Sequence, residues 1–202
     1  MITGSEEESR ALMMNAAIRI VAQYGFEGFT TKKWAAEAGV AEGSLYYHFK
    51  SKQDLLDETF FMIDREIASF FQDDEEIPET KEEILQFVKK RWVSYYHYLL
   101  DNPLKTLYYN RYRNSPRFTD EIQQKEVTYF GAFRQVVANM DAAVHFTNRI
   151  PEDILWYYIT DTTTSLAFRV VTGGTSHTEK SEQQMIDLLI HGLSGLIRKQ
   201  DM

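Results

Sequence analysis

The chain has 202 residues, 44% of them hydrophobic, and a formal net charge of −8 at pH 7, a length that supports one large or two small domains with a real core. Because the sequence contains no cysteine, disulfides and thiolate metal sites are excluded. The polar, acidic start MITGSEEESR does not resemble a secretory signal and no apolar run is long enough to cross a bilayer, so we expect a cytoplasmic protein with no membrane partner.

The charge is unevenly distributed along the chain. Between Arg10 and Lys52 the sequence has six basic and three acidic residues, so this segment carries +3 and the rest of the chain −11. A small basic region on an acidic body suits contact with nucleic-acid phosphates at one end only. Because few phosphates would be neutralised, we expect a modest non-specific affinity for DNA.

The first predicted helix runs from about Glu7 to Tyr24, where apolar residues recur at helical spacing, and Gly25 ends it. A second, short helix follows Thr30, which favours a helix start because its hydroxyl accepts a hydrogen bond from the first turn. Gly39 ends that helix, since glycine enters the left-handed conformation without steric cost.

A third helix is predicted to begin near Ala41 or Glu42, and its residues separate into two faces. Leu45 and Phe49, four residues apart, give it a buried side. Aromatic and polar residues are left to face outward or obliquely: Ser44, Tyr46, Tyr47 and His48. Two short helices joined by a tight turn predict a helix-turn-helix, which places its second helix in the major groove of DNA.

The run AGVAEGSLYYHFKSKQDLL resembles the recognition-helix signature of the TetR family, the tetracycline-repressor type of bacterial regulator. The upstream run AAIRIVAQYGFEGFTT resembles the first helix of that family, and the resemblance covers roughly residues 10 to 60. It implies an all-α protein of about nine helices. A three-helix, N-terminal helix-turn-helix head would precede a C-terminal helical domain for ligand binding and dimerisation.

The resemblance also implies which residues contact DNA. At a helix start, Thr30 and Thr31 would contact phosphate, and Lys32 would reach phosphate or a base edge. The third helix would contribute Glu42, Gly43 and Ser44 to the bases, and Tyr46, His48 and Lys52 to the backbone. Tyr47 joins this set, with packing inside the head as an equal alternative.

Two residues depart from the family pattern. Ala41 stands where the family often has a capping serine or threonine, and Glu42 stands where a basic or amide residue is common. A carboxylate can accept a hydrogen bond from cytosine N4 but repels phosphate. The base preference at this position is therefore left open.

After Lys52 the pattern predicts a long amphipathic helix that would join the head to the body as a stiff connection. The acidic run at 73–80, which contains Pro78, is the first clear break in the helical pattern. Domains are therefore predicted at residues 1–52 and 53–202. About five more helices follow, predicted near Thr80–Leu100, Pro103–Arg113, Pro116–Met140, Pro151–Val171 and Lys180–Lys199.

The last two predicted helices each carry a wide apolar face. The final one has Met185, Leu188, Leu189, Gly192, Leu193, Leu196 and Ile197 at helical spacing. This face could pack inside one domain. The resemblance instead implies a homodimer joined by a four-helix bundle, in which symmetry doubles one short DNA half-site.

The body is rich in aromatic residues, most of which must fill the core. Because buried tyrosine hydroxyls need partners, several of them beside charged groups predict an amphipathic pocket between helices, and the resemblance implies that it holds a small-molecule inducer. The predicted lining is Trp92, Tyr96, Tyr108, Arg111, Tyr112, Tyr129, Phe133, Trp156 and Asp161. Asp161 and Arg169, two helical turns apart, form a dimer-interface pair in the alternative interpretation.

No enzyme signature accompanies these features. The five histidines are scattered, and no zinc-protease motif, nucleophile elbow or metal-ligand cluster occurs, so we expect neither catalysis nor a metal or other cofactor. The sequence predicts a dimeric repressor that binds a palindromic operator and is released by a ligand. A helical adaptor that has lost DNA binding is the alternative.

Overall fold

The computed structural model describes residues 4–71, 80–129, 131, 137, 138 and 151–195. These ranges contain helices and connecting turns and no strand, as the all-α prediction requires. The helices are α1 (Gly4–Tyr24), α2 (Thr31–Ala38), α3 (Glu42–His48), α4 (Lys52–Ser69), α5 (Lys81–Asp101), α6 (Pro103–Arg113), α7 (Asp120–Tyr129), α8 (Glu152–Val171) and α9 (Glu179–Ser194).

Local chemistry explains most helix ends. Gly25 and Gly39 have φ of 68° and 70°, in the left-handed region that glycine occupies without strain. Thr30 caps α2 by accepting from the backbone N–H of Lys33. The predicted helix at Pro103–Arg113 has the observed bounds of α6, because proline suits the first turn of a helix.

The helix predicted from near Pro116 instead begins at Asp120. Residues 114–119 form a turn, in which the Ser115 hydroxyl accepts from the backbone N–H of Arg117 at 3.2 Å. The Thr119 hydroxyl then accepts from the backbone N–H of Ile122. Side chains that hydrogen-bond to nearby backbone groups compete with the backbone hydrogen bonds of a helix. The helix therefore begins later in the sequence than predicted. Most of that helix beyond Tyr129, like the acidic run with Pro78, lies outside the described residues.

Contacts divide the chain into two compact units. The first contains Met1–Arg65 and Asn102–Glu126, and the second contains Glu66–Asp101 and Val127–Met202. The first unit therefore includes α6 and most of α7 in addition to the helix-turn-helix. The domain boundary after residue 52 stays a prediction.

The first unit is built around large aromatic side chains. Trp34 is fully buried between Phe29 and Phe49, and its indole N–H donates to the Met13 carbonyl at 3.1 Å. Phe60 of α4 stacks on Tyr112 of α6 with ring centroids 4.4 Å apart. Burying each such side chain stabilises the folded protein by about 1.5–3 kcal/mol. This packing therefore holds α2 and α3 in place within the first unit.

The second unit packs α5 against α8 and α9. The Trp92 indole donates to the Thr163 hydroxyl at 2.8 Å, and the Tyr95 hydroxyl bonds the Thr164 hydroxyl at 2.6 Å. The side-chain polar groups of these four residues are thus hydrogen-bonded across the α5–α8 contact. A capping box between Thr178 and the third helical residue starts α9.

Candidate nucleic-acid interface

The α2–turn–α3 segment has the predicted helix-turn-helix geometry, and the buried side of α3 is firmly held. Leu45 is fully buried and Phe49 is 1% exposed. Arg10 of α1 donates to the carbonyl of His48 and lies over the Phe49 ring, 4.3 Å from its centroid. A guanidinium on the last turn also complements the negative end of the helix dipole.

The positioning role of Arg10 has no signature in the sequence. From sequence, Arg10 counts only as one of the six basic residues between Arg10 and Lys52. Its contacts join α1 to residues 48 and 49, which are about ten helical turns away along the sequence, and no local pattern encodes such a pairing.

The opposite face of α3 is open to solvent. Tyr46 is 54% exposed and Tyr47 is 79% exposed, although large aromatic side chains usually pack when space allows. Glu42, Gly43 and Ser44 are also exposed at the start of the helix. The predicted base-contacting residues therefore share an accessible surface with the predicted backbone-contacting tyrosines.

The start of α3 has no side-chain cap. Ala41 is the N-cap residue and makes no capping hydrogen bond, as its departure from the family pattern predicts. The first backbone N–H groups of α3 are consequently left without a side-chain acceptor at that residue.

The cations near this surface differ in how firmly they are held. Lys32 is exposed, and Lys33 lies over the Tyr24 ring at 4.3 Å. The exposed Arg19 forms an ion pair with Glu37, which offsets its positive charge. Lys32 is therefore the predicted contact best placed to reach a phosphate.

Lys52 has an internal role in the structure. Its ammonium group donates to the carbonyl of Phe29 and lies 5.3 Å from the centroid of that ring. These contacts tie the start of α4 to the turn before α2. The phosphate contact predicted for Lys52 stays a prediction, since an ammonium has further donors.

Thr31 and His48 are the remaining predicted contacts in the head. The Thr31 hydroxyl lies 3.5 Å from the Tyr46 hydroxyl, which links the start of α2 to the second half of α3. The His48 ring packs edge-on against Tyr47 at 5.0 Å, and its buried Nδ1 has no hydrogen-bond partner among the described residues.

The predicted ligand-binding residues fall into both units. Tyr108, Arg111 and Tyr112 belong to the first, where Arg111 donates to the carbonyls of Val21 and Ala22 at the end of α1. The second unit contains the following described members: Trp92, Tyr96, Tyr129, Trp156 and Asp161. Phe133 lies outside the described residues.

Within the second unit, Trp92 stacks on Tyr96 with centroids 5.0 Å apart, and Trp156 packs against Phe71. A cavity of about 130 Å³ opens beside Trp92, between α8 and α9. Of the predicted ligand-binding set, Trp92 alone contributes to that cavity as described; Asp161 and Arg169 are exposed on α8.

The described residues lack two other kinds of structural feature. These residues include no group of three histidine, aspartate or glutamate side chains placed to hold a metal ion. None of their helices combines the length and apolar character that spanning a membrane requires.

A two-helix motif with a buried back, an accessible recognition face and nearby cations defines a helix-turn-helix DNA-binding protein. The family model for bacterial regulatory proteins of the tetR family matches residues 13–59, which include α2, α3 and the start of α4. This match identifies residues 13–59 as a TetR-type helix-turn-helix segment, and solved TetR-family regulators, described below, have a similar fold.

The similar curated proteins are regulators. An uncharacterised helix-turn-helix-type transcriptional regulator of Haemophilus influenzae is 28% identical over 108 residues, 54% of this chain and 56% of that protein. The fatty acid metabolism regulator protein of Bacillus subtilis is 38% identical over 48 residues, 24% of this chain and 25% of that protein. Tetracycline repressor protein class C of Escherichia coli is 40% identical over 48 residues, 24% and 22% of the two chains. The matched segments thus span about half of the first relative and about a quarter of the others.

Solved structures extend the similarity to almost the whole chain. A TetR-family transcription regulator from Marinobacter aquaeolei has a TM-score of 0.77 at 18% identity and covers 96% of this chain and 98% of its own. A TetR-family transcriptional regulator from Haemophilus influenzae has a TM-score of 0.73 at 19% identity, with 98% and 100% covered. At this identity the likeness establishes the fold, including the helical body, and leaves the ligand open.

Proposed function

We propose that this protein is a transcriptional regulator that binds a palindromic operator as a homodimer. In the simplest mechanism it represses a promoter by occupying it, and a small molecule bound in the helical body releases it. Such a protein acts where the chromosome is, in the cytoplasm.

The exposed face of α3 is the observation that carries the DNA-binding part of this proposal. Tyr46 and Tyr47 are exposed to solvent on a helix whose other side is fully buried. Contact with DNA would cover these two aromatic side chains. Aromatic hydroxyls and an exposed Lys32 at the start of α2 suit phosphate contact, while Ser44 and Glu42 suit base edges.

An exposed apolar surface on α8 and α9 supports the homodimer. Ile154 and Tyr158 of α8 are 56% and 53% exposed, and Leu188 of α9 is 74% exposed. A Cβ atom built on Gly192 meets no other atom within 4 Å, so another helix has room to approach there. Exposed apolar patches on a protein surface commonly mark sites of association with another molecule.

Ligand release is supported by the cavity that Trp92 lines, which lies next to the proposed dimer surface on α8 and α9. Its lining is mainly apolar with two threonines, Thr162 and Thr163. A ligand there would contact α8 and α9, and would shift DNA binding only by its difference in affinity for the free and bound forms. The names of the relatives, a tetracycline repressor and a fatty acid metabolism regulator, describe proteins matched in their head segments, so they do not select a ligand here.

The first test identifies the operator directly. The wild-type chain is used to select binding sites from random double-stranded DNA, and we expect a palindrome to be enriched. Lys32→Ala should weaken binding to every sequence and reduce the slope of log affinity against log salt by about one unit. Lys180→Ala, which removes the same charge from an exposed position on α9, is the matched control and should leave both quantities unchanged.

Base recognition is tested on the same selected site. Glu42→Ala and Ser44→Ala should change which bases are preferred at one position of each half-site, with a cost of about 1–3 kcal/mol on the wild-type site. If the selection enriches no sequence and the chain binds DNA with no salt dependence, the adaptor alternative replaces the regulator.

A further inference from the structure

A second cavity lies wholly in the first unit, apart from the ligand pocket proposed above. Its volume is about 620 Å³, within the range of sites that hold small molecules. Three segments line it: the turn after α1, the first half of α4, and the region from residue 115 to residue 125. Nothing in the regulator mechanism uses this cavity.

The chemistry of the cavity centres on Asp57. Its Oδ1 accepts from the Tyr112 hydroxyl and from the Gln53 side-chain amide. Its Oδ2 accepts no hydrogen bond from the described residues, although the side chain lines the cavity and is only half-exposed. Burial raises the pKa of the Asp57 carboxyl, and the hydrogen bonds from Tyr112 and Gln53 oppose that shift.

The cations of the cavity interact directly with lining residues other than Asp57. Arg117 donates to Gln53 and lies 5.2 Å from the centroid of the Phe26 ring. Lys125 pairs with Glu121 at 2.8 Å and is 56% exposed, and it partly offsets the charge on Asp57 from a distance. With Glu27 also in the lining, acidic residues outnumber basic ones by one.

We propose that this cavity binds an organic cation, with its ammonium or amidinium group paired to Asp57 Oδ2 and its apolar body beside Phe26 and Ile122. An amidinium or ammonium supplies the donor that Oδ2 lacks and the positive charge that the lining lacks. Phe26 and the buried Ile122 supply apolar surface for the rest of the ligand. An anionic ligand would instead have to face three carboxylates.

This inference does not depend on the proposed regulatory function, because the site is defined without DNA or a dimer. The test uses benzamidine, a small aromatic amidine, on the full chain, with benzoate as the probe of the same shape and opposite charge. Calorimetry should detect saturable benzamidine binding with a Kd on the order of 1 mM, as expected for so small a ligand. Benzoate should not bind in that range.

Two variants with opposite expected signs locate the site. Asp57→Asn keeps an acceptor for Tyr112 and should weaken benzamidine binding by about tenfold or more, as loss of a charged hydrogen bond does. Lys125→Gln removes the competing cation and frees Glu121, so it should strengthen binding by about twofold. Asp120→Asn removes an acidic charge from an exposed position outside the lining and should change affinity little.

The outcomes decide the proposal even if Asp57→Asn fails to fold. Hydrogen exchange of the wild type should slow on adding benzamidine in the peptides that contain residues 53–57 and 115–125. Absence of benzamidine binding, equal binding of benzoate, protection elsewhere only, or weaker binding by Lys125→Gln would each overturn the assignment.

Discussion

At the scale of single residues, the most unusual group is a pair of fully buried carboxyl groups, Asp64 of α4 and Glu126 of α7. Arg113 pairs with Glu126, and the Tyr109 hydroxyl donates to Asp64 Oδ1 at 2.8 Å. Burial raises the pKa of Asp64 well above its ordinary value, and the negative charge of Glu126 raises it further. One guanidinium therefore faces two buried carboxyl groups, and this arrangement favours the protonated form of Asp64.

This pair predicts that stability falls as the pH rises. Because the folded-state pKa of Asp64 lies above its unfolded value, the contribution of the protonated form is complete below the ordinary aspartate pKa. It is lost as the pH rises through the raised pKa, with a slope of up to about 1.4 kcal/mol per pH unit. Asp64→Asn is neutral at every pH and can still accept from Tyr109, so its stability should depend less on pH.

The measurement is urea unfolding of wild type and Asp64→Asn from acid to mildly alkaline pH. Asp120→Asn, an exposed neutralisation in the same unit, should retain the wild-type slope. Parallel curves for wild type and Asp64→Asn would show that Asp64 is ionised in the folded protein.

At the scale of secondary-structure elements, local signals predicted more than long-range ones. Gly25, Gly39 and Thr30 mark helix ends through their own backbone preferences, and the spacing of Leu45 and Phe49 separates the two faces of α3. These features depend on residues within one or two turns, so sequence alone predicted both the fold class and which face of α3 is exposed.

The partners of each helix depend on residues far apart in the chain. Tyr108 and Arg111 look from sequence like pocket residues, yet the Tyr108 hydroxyl donates to the Leu56 carbonyl and Arg111 holds the end of α1. Aromatic and charged residues at helical spacing fit a pocket and a packed helix interface equally well. For the same reason, the cavity beside Asp57 had no signature in the sequence.

The turn between α1 and α2 contains Gly28, where there is no room for a larger side chain. A Cβ atom on Gly28 would lie 2.4 Å from the Tyr24 Cβ and 2.7 Å from the Tyr24 carbonyl oxygen. Because a backbone atom cannot move away cheaply, Gly28→Ala should destabilise the protein by about 1–3 kcal/mol.

Gly43→Ala is the matched control for Gly28→Ala. A Cβ atom on Gly43 meets nothing within 4 Å, and alanine favours helix by up to about 1 kcal/mol over glycine. Denaturant unfolding should therefore show Gly43→Ala to be as stable as wild type or more so. Equal stability of the two variants would mean that the turn relaxes without cost.

At the scale of the whole molecule, the proposed dimer depends on the exposed apolar face of α8 and α9. Leu189 and Ile186 of α9 are buried in the second unit, whereas Leu188 lies on another side of the helix and is 74% exposed. Leu196 and Ile197, predicted to continue the face, lie outside the described residues. One side of α9 is therefore packed within the second unit, and the side that bears Leu188 is exposed.

Light scattering should give the wild type about twice the chain mass of 23.7 kDa at micromolar concentration. Leu188→Glu places a charge in the proposed interface, and Gly192→Leu fills space that is open in the protomer; both should give folded monomers. Gln183→Glu adds the same charge as Leu188→Glu at an exposed position away from Leu188 by helical spacing, and should remain a dimer.

Because a monomer presents one recognition helix, Leu188→Glu should lose about 10²–10⁴-fold in affinity for the full palindrome, while binding to an isolated half-site changes little. A monomeric wild type, or a Leu188→Glu dimer with undiminished operator affinity, would place the association surface elsewhere or remove it.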